Sequence, residues 1–433
     1  MSAAIHHRSP TDAPRVVITG FGAVTCLGTD AGSTWEAMRE GRSGVSHYGT
    51  GPFAPISDKW PTTIAGEVKD LDLSSIMDSR EAKRLDRYTQ FGMLAAHEAV
   101  GQSGIDFSKV DPVRAGVVIG SGVGGIATIE EGHSTLLKKG PTRVSPFTVP
   151  RLMANATTGN VSIRYGLRGP ASAHATACAS SGHAIQDAMG YIRRGYCDVM
   201  LSGGAEAAIT PVCVSAFSTM KALSTRNDDP TRASRPFDQD RDGFVLGEGA
   251  GILVLESEAH ARARGATIYA ELLGAANSSD AYHITAPHEQ GLGAASSMRW
   301  ALEDAGLNTS DIDYINAHGT STPLGDRAEA EAVKGVFGDH ARQSAGGKLL
   351  MSSTKSMHGH ALGASGAVEM VACIHAVRDG VIAPTINLDS PDDGIDVDLV
   401  AHESRERPMK RVMNNTFGFG GHNVTLIVGR YEG

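Results

Sequence analysis

Long apolar segments are missing from this sequence. No run reaches the roughly 20 consecutive apolar residues that a helix needs to cross a bilayer, so no membrane span is expected. Cysteine is also scarce, with five residues in 433 and no Cys-x-x-Cys pair. This spacing disfavours a disulfide framework and a zinc site, and no metal-ligand set is predicted; a reducing cytoplasm is the simplest setting. The cysteines are Cys26, Cys178, Cys197, Cys213 and Cys373.

Positive charge is in deficit. The formal net charge is −9 at pH 7, which argues against non-specific nucleic-acid binding. The first residues are polar and have no apolar core, so they do not form a secretory signal. We expect residues 1–14 to be a disordered leader before the first strand.

Glycine, in contrast, is abundant. The 52 glycines fall in short clusters between apolar runs, which indicates tight turns and close backbone approach. Short apolar runs rich in β-branched residues alternate with helical patterns, and this predicts an α/β fold with covered sheets. A charged joint at 256–265 divides the chain into two α/β halves, 15–265 and 266–433. Two unrelated domains would give much the same pattern.

Cys178 is the first candidate for chemistry. It lies among small residues, directly before an amphipathic helix predicted over 181–194. The positive end of a helix dipole lowers the pKa of a cysteine, and the thiolate is the reactive form. Small neighbours would also let a bulky acyl group approach the sulfur. The alternative is a buried structural cysteine, the class to which we assign the other four.

Two further segments bring histidines to loops. An apolar strand ends near His318 and is followed by a turn rich in hydroxyls. Loops at strand ends commonly carry the sites of α/β folds. The second segment contains Lys355, His358 and His360; we expect His358 to face solvent and His360 to abut small residues. The alternatives are an ordinary capped turn and a basic surface loop.

Residues 120–125 follow a strand and match the Gly-x-Gly-x-x-Gly pattern of dinucleotide-binding loops. The pattern alone has many false positives, and a true site needs an acidic residue at the end of a second strand about 20 positions later. Glu130 and Glu131 instead lie in an apparent helix or loop. A nucleotide site is therefore disfavoured.

Taken together, these segments resemble the β-ketoacyl-acyl-carrier-protein synthases, the elongating condensing enzymes of type II fatty-acid synthesis. The resemblance covers nearly the whole chain from Val16 onward, with several long motifs in the same order. The segments that carry it are 176–178, 223–228, 235–249, 316–322, 355–360 and 414–423. It implies a thiolase-like five-layer α-β-α-β-α sandwich built from two similar halves, and a homodimer.

The resemblance also implies the reaction. Cys178 would take an acyl chain from an acyl-carrier protein as a thioester. Malonyl-carrier protein would then lose carbon dioxide and attack that thioester, which extends the chain by two carbons. His318 and His360 match the histidines that stabilise the enolate. Lys355 would add positive charge beside His318, and Glu369 would hold Lys355 in place.

Binding positions are carried over in the same way. The N–H groups of Cys178 and Phe419 match the oxyanion hole, and Phe419 also matches the gate for the malonyl substrate. Thr320 and Thr322 match the pantetheine-binding threonines. The acyl-pocket positions are Val123, Thr148 and Phe217. The first two are smaller than the usual isoleucine and phenylalanine, which favours a longer or branched acyl chain.

An anionic carrier protein needs a local basic patch on this acidic chain. We expect docking at Lys83, Arg84 and Lys221, with Arg80 and Arg87 nearby. A solvated helix face is the alternative interpretation.

The resemblance implies no required cofactor. Some relatives bind a structural monovalent cation near the site, and the matching positions here are Asn316, Glu369 and Asn415. The sequence departs from the family motifs at His358 and His422, where threonine is usual. Neither departure removes a catalytic group.

Several related activities compete with this assignment. A polyketide ketosynthase has the same catalytic groups and stays open. A non-catalytic chain-length partner would lack the nucleophile, so Cys178 argues against it. A degradative thiolase needs a second cysteine near the end of the chain, but Cys373 is the last one here. A starter-unit synthase would carry asparagine in place of His360.

Overall fold

The computed structural model describes residues 13–49, 53 and 59–433. Most of the predicted leader, 1–14, lies outside the described residues, and its disorder stays a prediction. Among the described helices, none combines the length and apolar character needed to cross a bilayer. All five cysteines are free thiols.

The strands agree with the apolar runs of the sequence and extend several of them. They are β1 (Val16–Val24), β2 (Ser46–His47), β3 (Ile64–Ala65), β4 (Ala115–Gly120), β5 (Ala171–Ser172), β6 (Val199–Glu206), β7 (Gly249–Ser257), β8 (Ala270–Ser279), β9 (Tyr314–Asn316), β10 (Leu350–Ser352), β11 (Val381–Ile382), β12 (Arg405–Glu406), β13 (Arg411–Gly418) and β14 (His422–Gly429).

The helices alternate with these strands. They are α1 (Ala31–Arg39), α2 (Ser79–Ala82), α3 (Arg87–Ser103), α4 (Ile126–Lys139), α5 (Thr148–Leu152), α6 (Ala156–Tyr165), α7 (Ser180–Arg193), α8 (Pro211–Thr219), α9 (Glu258–Ala263), α10 (Leu292–Ala305), α11 (Pro323–Phe337), α12 (Lys355–His358) and α13 (Ser365–Asp379). Short 3-10 helices, Ala177–Ala179 and Leu362–Ala364, directly precede α7 and α13.

Each half of the chain builds one five-stranded sheet with the same strand order. The order is β5-β4-β6-β7-β1 in the first half and β10-β9-β13-β14-β8 in the second. In both sheets the first strand pairs antiparallel with the fifth, and the fifth pairs antiparallel with the fourth. The remaining neighbours are parallel. The sheets meet where the start of β1 pairs with the start of β8. The boundary between residues 265 and 266 stays a prediction.

The two sheets are covered on both faces. α7 and α13 lie between them, because apolar residues of both helices share one core with residues of both sheets. α3 and α6 cover the outer face of the first sheet, and α10 and α11 cover the outer face of the second. These five layers confirm the predicted thiolase-like sandwich.

The two central helices suit the middle layer. α13 is buried around its whole circumference from Ser365 to Val377, as an apolar helix between two sheets must be. Each central helix also follows a strained turn, where Ala177 has a φ of 49° and Leu362 a φ of 44°. The turns occupy equivalent places in the two halves, and both lead into the candidate site.

Candidate active site

Cys178 lies in the short 3-10 helix just before α7, where the sequence predicted a helix start. The residue is buried, and its Sγ is 2.9 Å from Nε2 of His360. The other ring nitrogen of His360, Nδ1, is 3.0 Å from the hydroxyl oxygen of Ser365, the first residue of α13. The thiol–imidazole contact therefore joins the starts of the two central helices.

His318 completes a group of three. The nearest donor atoms of Cys178, His318 and His360 all lie within 4.8 Å of one another. The two imidazole rings meet edge to face, with their centroids 5.4 Å apart. The structure thus brings together the three residues that the sequence selected from segments far apart in the chain.

Burial sets the charge of the nucleophile. It raises the pKa of Cys178 to about 12, although the Lys355 charge and the backbone N–H groups of Phe419 and Cys178 favour the thiolate. The expectation that the helix start would lower this pKa is wrong, because removing solvent from the sulfur has the larger effect. The resting group is a neutral thiol.

Both histidines are neutral as well. Burial, followed by the positive charge of Lys355, holds the pKa of His318 and of His360 well below the usual range. A neutral imidazole keeps one N–H and one bare nitrogen. Each ring can therefore donate a hydrogen bond or accept a proton, depending on its tautomer.

The fixed charge of the site comes from a fully buried ion pair between Lys355 and Glu369. Burial raises the pKa of Glu369 to about 7, and the adjacent ammonium opposes that rise. Breaking such a pair typically costs about 3–5 kcal/mol, since it leaves one charge buried and alone. The pair has the arrangement that the resemblance implied, and its role in the reaction stays a proposal.

Glu206, at the end of β6, is a site residue that the sequence analysis missed. Its carboxylate accepts hydrogen bonds from the N–H groups of Gly122 at 2.6 Å and Val123 at 3.2 Å, and from Gly363 N–H at 3.0 Å. These first two groups belong to the glycine pattern that resembled a nucleotide site. A protein carboxylate therefore occupies the donors that a pyrophosphate would need.

Glu329, on α11, was missed in the same way. It accepts hydrogen bonds from the N–H groups of His318 at 2.9 Å and Gly319 at 2.8 Å, and burial raises its pKa to about 7. A signal in the sequence could have identified both residues. Glu329 is an acidic residue on the apolar side of a helix, and Glu206 is one at the end of an apolar strand. Both carboxylates act on backbone, which no side-chain motif reveals.

A cavity of about 480 Å³ leads to the three residues. Thr320 and Thr322 line it, and their hydroxyl oxygens are 3.1 Å apart. Val123 and Phe217 also line it, and their place in an acyl pocket stays a prediction. Thr148 is not part of this lining; it begins α5 and lies against α4 near Gly132. The preference for a longer or branched chain stays a prediction.

Phe419 lies in the tight turn between β13 and β14, at the cavity, and is partly exposed. Gly420 and Gly421 follow it with φ angles of 85° and 74°, which only glycine adopts readily. The N–H of Gly420 donates to the carbonyl oxygen of Ile284 at 2.7 Å. The N–H of Asp280 also donates to the carbonyl oxygen of Gly421 at 2.9 Å. These two hydrogen bonds connect the turn to residues outside it, and the gating role stays a proposal.

The expectation that His358 faces solvent is wrong. The residue is 2% exposed, and its Nε2 is 3.1 Å from the hydroxyl oxygen of Thr354. Burial lowers its pKa to about 3. His358 stands between Met357 and Gly359, and neither neighbour indicates whether the loop is covered.

The predicted docking residues differ in whether their side chains are free to contact a carrier protein. Lys83 is exposed at the end of α2, and Arg84 is exposed and lies over the ring of Phe147 at 5.2 Å. Lys221 is exposed and lines the cavity. Arg87 is not available for docking, since it forms an ion pair with Glu248 at 2.6 Å.

The residues near the site also fit a small cation. Asn316 Oδ1, Glu369 Oε2 and Asn414 Oδ1 are buried and have no hydrogen-bond partner among the described residues. Oxygen atoms of this kind are the ligands that hard cations prefer. Asn415, which the resemblance implied, already accepts a hydrogen bond from Thr425 at 3.0 Å. We therefore propose that Asn316 and Glu369 hold a monovalent cation. The protein should then melt at a higher temperature in potassium chloride than in choline chloride.

The chain matches two family models. "Beta-ketoacyl synthase, N-terminal domain" matches residues 13–261, and "Beta-ketoacyl synthase, C-terminal domain" matches residues 269–389. The 3-oxoacyl-[acyl-carrier-protein] synthase 2 of Vibrio cholerae is 48% identical over 420 residues, 96% of this chain and 99% of that protein. The protein of the same name from Synechocystis sp. is 46% identical over 420 residues, with 96% and 98% covered.

Solved structures give the same likeness. A beta-ketoacyl synthase from Burkholderia phymatum is 37% identical and has a TM-score of 0.88, with 97% of this chain and 100% of that chain covered. A chain from the complex of a type II PKS acyl-carrier protein with its ketosynthase has the same TM-score and coverage at 33% identity.

The buried thiol leads to a prediction about reactivity. Alkylation of Cys178 by iodoacetamide should accelerate by about tenfold per pH unit from pH 7 to pH 10 without a plateau, because only the rare thiolate reacts. Mass spectrometry of the modified peptide measures this rate. Free cysteine, with a pKa near 8.5, should level off above pH 9 and serves as the control. A plateau reached below pH 7 would contradict the assignment of a neutral thiol.

Proposed function

The chain belongs to the beta-ketoacyl synthase family, whose two domain models match most of its length, and we propose how its residues carry out the reaction. It is a 3-oxoacyl-[acyl-carrier-protein] synthase, an acyltransferase that extends fatty acids by two carbons. The reaction is a decarboxylative Claisen condensation of an enzyme-bound acyl thioester with malonyl-acyl-carrier protein. The contact between Cys178 and His360, beside His318, is the observation that carries the residue roles.

Acyl transfer comes first. The sulfur of Cys178 attacks the carbonyl carbon of the acyl-carrier thioester, and Nε2 of His360 takes the thiol proton across the 2.9 Å contact. The new oxyanion receives hydrogen bonds from the N–H groups of Cys178 and Phe419. Collapse of this intermediate breaks the bond to the carrier thiol, which leaves with the proton. The acyl chain then lies in the cavity as a thioester of Cys178.

Decarboxylation follows. When the malonyl carboxylate leaves as carbon dioxide, its electron pair passes to the thioester, and negative charge develops on the thioester oxygen. Neutral imidazoles of His318 and His360 donate N–H hydrogen bonds to that oxygen. The carbanion attacks the acyl carbonyl carbon, the new carbon–carbon bond forms, and Cys178 leaves as a thiolate that takes up a proton from solvent.

These roles give different outcomes for different variants. Cys178→Ala should abolish formation of the β-keto product but still decarboxylate malonyl-carrier protein, since the two imidazoles remain. His318→Ala should lower decarboxylation by roughly a hundredfold, the usual effect of removing one oxyanion donor. Mass spectrometry of the carrier-bound products, with release of labelled carbon dioxide, measures both steps.

Cys213→Ala is the matched control for this experiment. Cys213 is a buried thiol in the same apolar cluster as Cys178, and it is not among the residues that line the cavity. Its removal should leave condensation within about twofold of the parent protein. Full condensation by Cys178→Ala would refute the central role given to that residue.

The cysteine chemistry and the relatives favour fatty-acid synthesis in the cytoplasm. All five thiols are free, as expected in a reducing compartment. The relatives named 3-oxoacyl-[acyl-carrier-protein] synthase 2 are 46–48% identical, whereas the type II PKS ketosynthase chain is 33% identical. A polyketide product in the condensation assay would reverse this preference.

We also propose that an acyl-carrier protein docks beside the cavity through Lys221, with Lys83 and Arg84. Lys83→Glu with Arg84→Glu should raise the KM for carrier-bound substrate by roughly tenfold and leave kcat unchanged, since each exposed ion pair contributes up to about 1 kcal/mol. Higher salt should reduce the difference. Lys109→Glu, a charge reversal at another exposed site, is the control. An unchanged KM would remove the pair from the docking surface.

Finally, we propose a homodimer that covers α4, α5 and α6. Leu137, Val149 and Ile163 on these helices are 72%, 63% and 82% exposed, and β5 leaves one sheet edge unpaired among the described strands. Exposed apolar patches and free edges favour association. Val149→Arg with Ile163→Arg should sediment as a monomer, whereas Trp300→Arg, on α10, should stay dimeric. A monomeric parent protein at micromolar concentration would contradict the proposal.

A further inference from the structure

Cys178, His318 and His360 also form a set of metal-binding atoms. Among the described residues, this is the one group of at least three histidine, cysteine or acidic side chains whose donor atoms lie within 4.8 Å of one another. A sulfur with two imidazole nitrogens suits zinc and similar divalent ions. The ligands come from three loops far apart in sequence, which is why the spacing of cysteines gave no sign of them.

We propose that these three side chains bind one zinc ion, and that zinc and the acyl group compete for the sulfur of Cys178. Binding itself depends on the arrangement of the side chains alone. The competition, and with it reversible inhibition of condensation, rests on the proposed function.

The distances are close to those of a zinc site. Tetrahedral zinc, with bonds of about 2.3 Å to sulfur and 2.0 Å to nitrogen, separates these two ligands by about 3.6 Å. The sulfur of Cys178 and Nε2 of His360 are now 2.9 Å apart, and no pair in the group exceeds 4.8 Å. The sulfur and Nε2 therefore need to separate by about 0.7 Å to reach the spacing of zinc ligands.

The charges also allow binding. Zinc is bound by neutral imidazole and by thiolate, so the thiol of Cys178 must lose its proton when the ion binds. One zinc ion then replaces one proton, and that proton passes to solvent. Lys355 would repel a cation, but its charge is balanced by Glu369 in the buried ion pair.

The cavity supplies the remaining requirements. It opens onto all three residues, so an ion can enter, and a water molecule can occupy the fourth position. Zinc sites with three protein ligands and one open position have this form. Ser365, with its hydroxyl oxygen 3.0 Å from Nδ1 of His360, would orient that ring from behind.

The test uses the full-length, metal-free protein titrated with cobalt(II) and then zinc, without substrate. We expect one ion per chain, an ultraviolet thiolate-to-cobalt charge-transfer band, and release of one proton measured with a pH indicator. Zinc should remove the band by displacing cobalt. Alkylation of Cys178 with iodoacetamide, which converts the thiol to a thioether, should prevent the band.

Variants distinguish ligands from neighbours. Cys178→Ala, His318→Ala and His360→Ala should each weaken zinc binding by at least about a hundredfold, and Ser365→Ala by about tenfold. Cys213→Ala should bind as the parent protein does. A missing band in the parent protein, or a band that persists after alkylation of Cys178, would overturn the proposal.

Experiments with acylated protein test zinc binding and the proposed function separately. Protein loaded with an acyl group on Cys178 should give no charge-transfer band, and zinc should slow acylation in proportion to its concentration. A protein that binds zinc but never condenses would refute the proposed function alone. Condensation that continues unchanged in saturating zinc would refute the competition.

Discussion

The contact between Cys178 and His360 depends on two backbone turns that nearly touch. A Cβ atom on Gly363 would lie 2.3 Å from the backbone nitrogen of Gly122, so any side chain there would force the turns apart. The carboxylate of Glu206 holds both turns by accepting their N–H groups. Because a displacement of about 1 Å can greatly reduce the rate of an aligned reaction, this close approach of backbone determines whether the site works.

The same packing explains the electrostatics. Burial raises the free energy of every isolated charge, so the thiol and both imidazoles rest in their neutral forms. The positive charge of Lys355 survives because Glu369 is buried beside it. Negative charge on the sulfur of Cys178 and on the thioester oxygen therefore develops only during the reaction, where hydrogen-bond donors are already in place. The hydrogen-bond donors are arranged for the negative charge that develops during the reaction, whereas the reacting groups are neutral in the resting state.

Much of this arrangement was visible in the sequence. Apolar runs and glycine clusters indicated the α/β layers, and small residues before a helix selected Cys178. Burial was harder to predict, since the sequence alone does not show what covers a loop. For this reason the predicted pKa shift of Cys178 and the predicted exposure of His358 were wrong. Glu206 and Glu329 were missed because they bind backbone N–H groups, which every residue except proline has.

The repeated topology raises the question of why the protein has one reactive centre and not two. Each half has a turn after the second strand of its five-stranded sheet, which is β4 or β9, and a turn before its central helix, which is α7 or α13. In two places a turn of one half meets a turn of the other. At one meeting Cys178 lies beside His318; at the other the equivalent residues are Gly363 and Gly122. Gly122 and His318 are equivalent because each lies two residues beyond its strand and has its N–H bound by a buried glutamate.

The second meeting place has glycine at both equivalent positions, and it leaves no room for a side chain at Gly363. Its two glycines let the turns close on each other, and that closure positions Cys178 against His360. A reactive pair at the second place would need side chains that separate the turns, and the first pair would then lose its alignment. The glycines at the second meeting place are thus a structural condition for the chemistry at the first. For this reason a fold with two similar halves carries an asymmetric site.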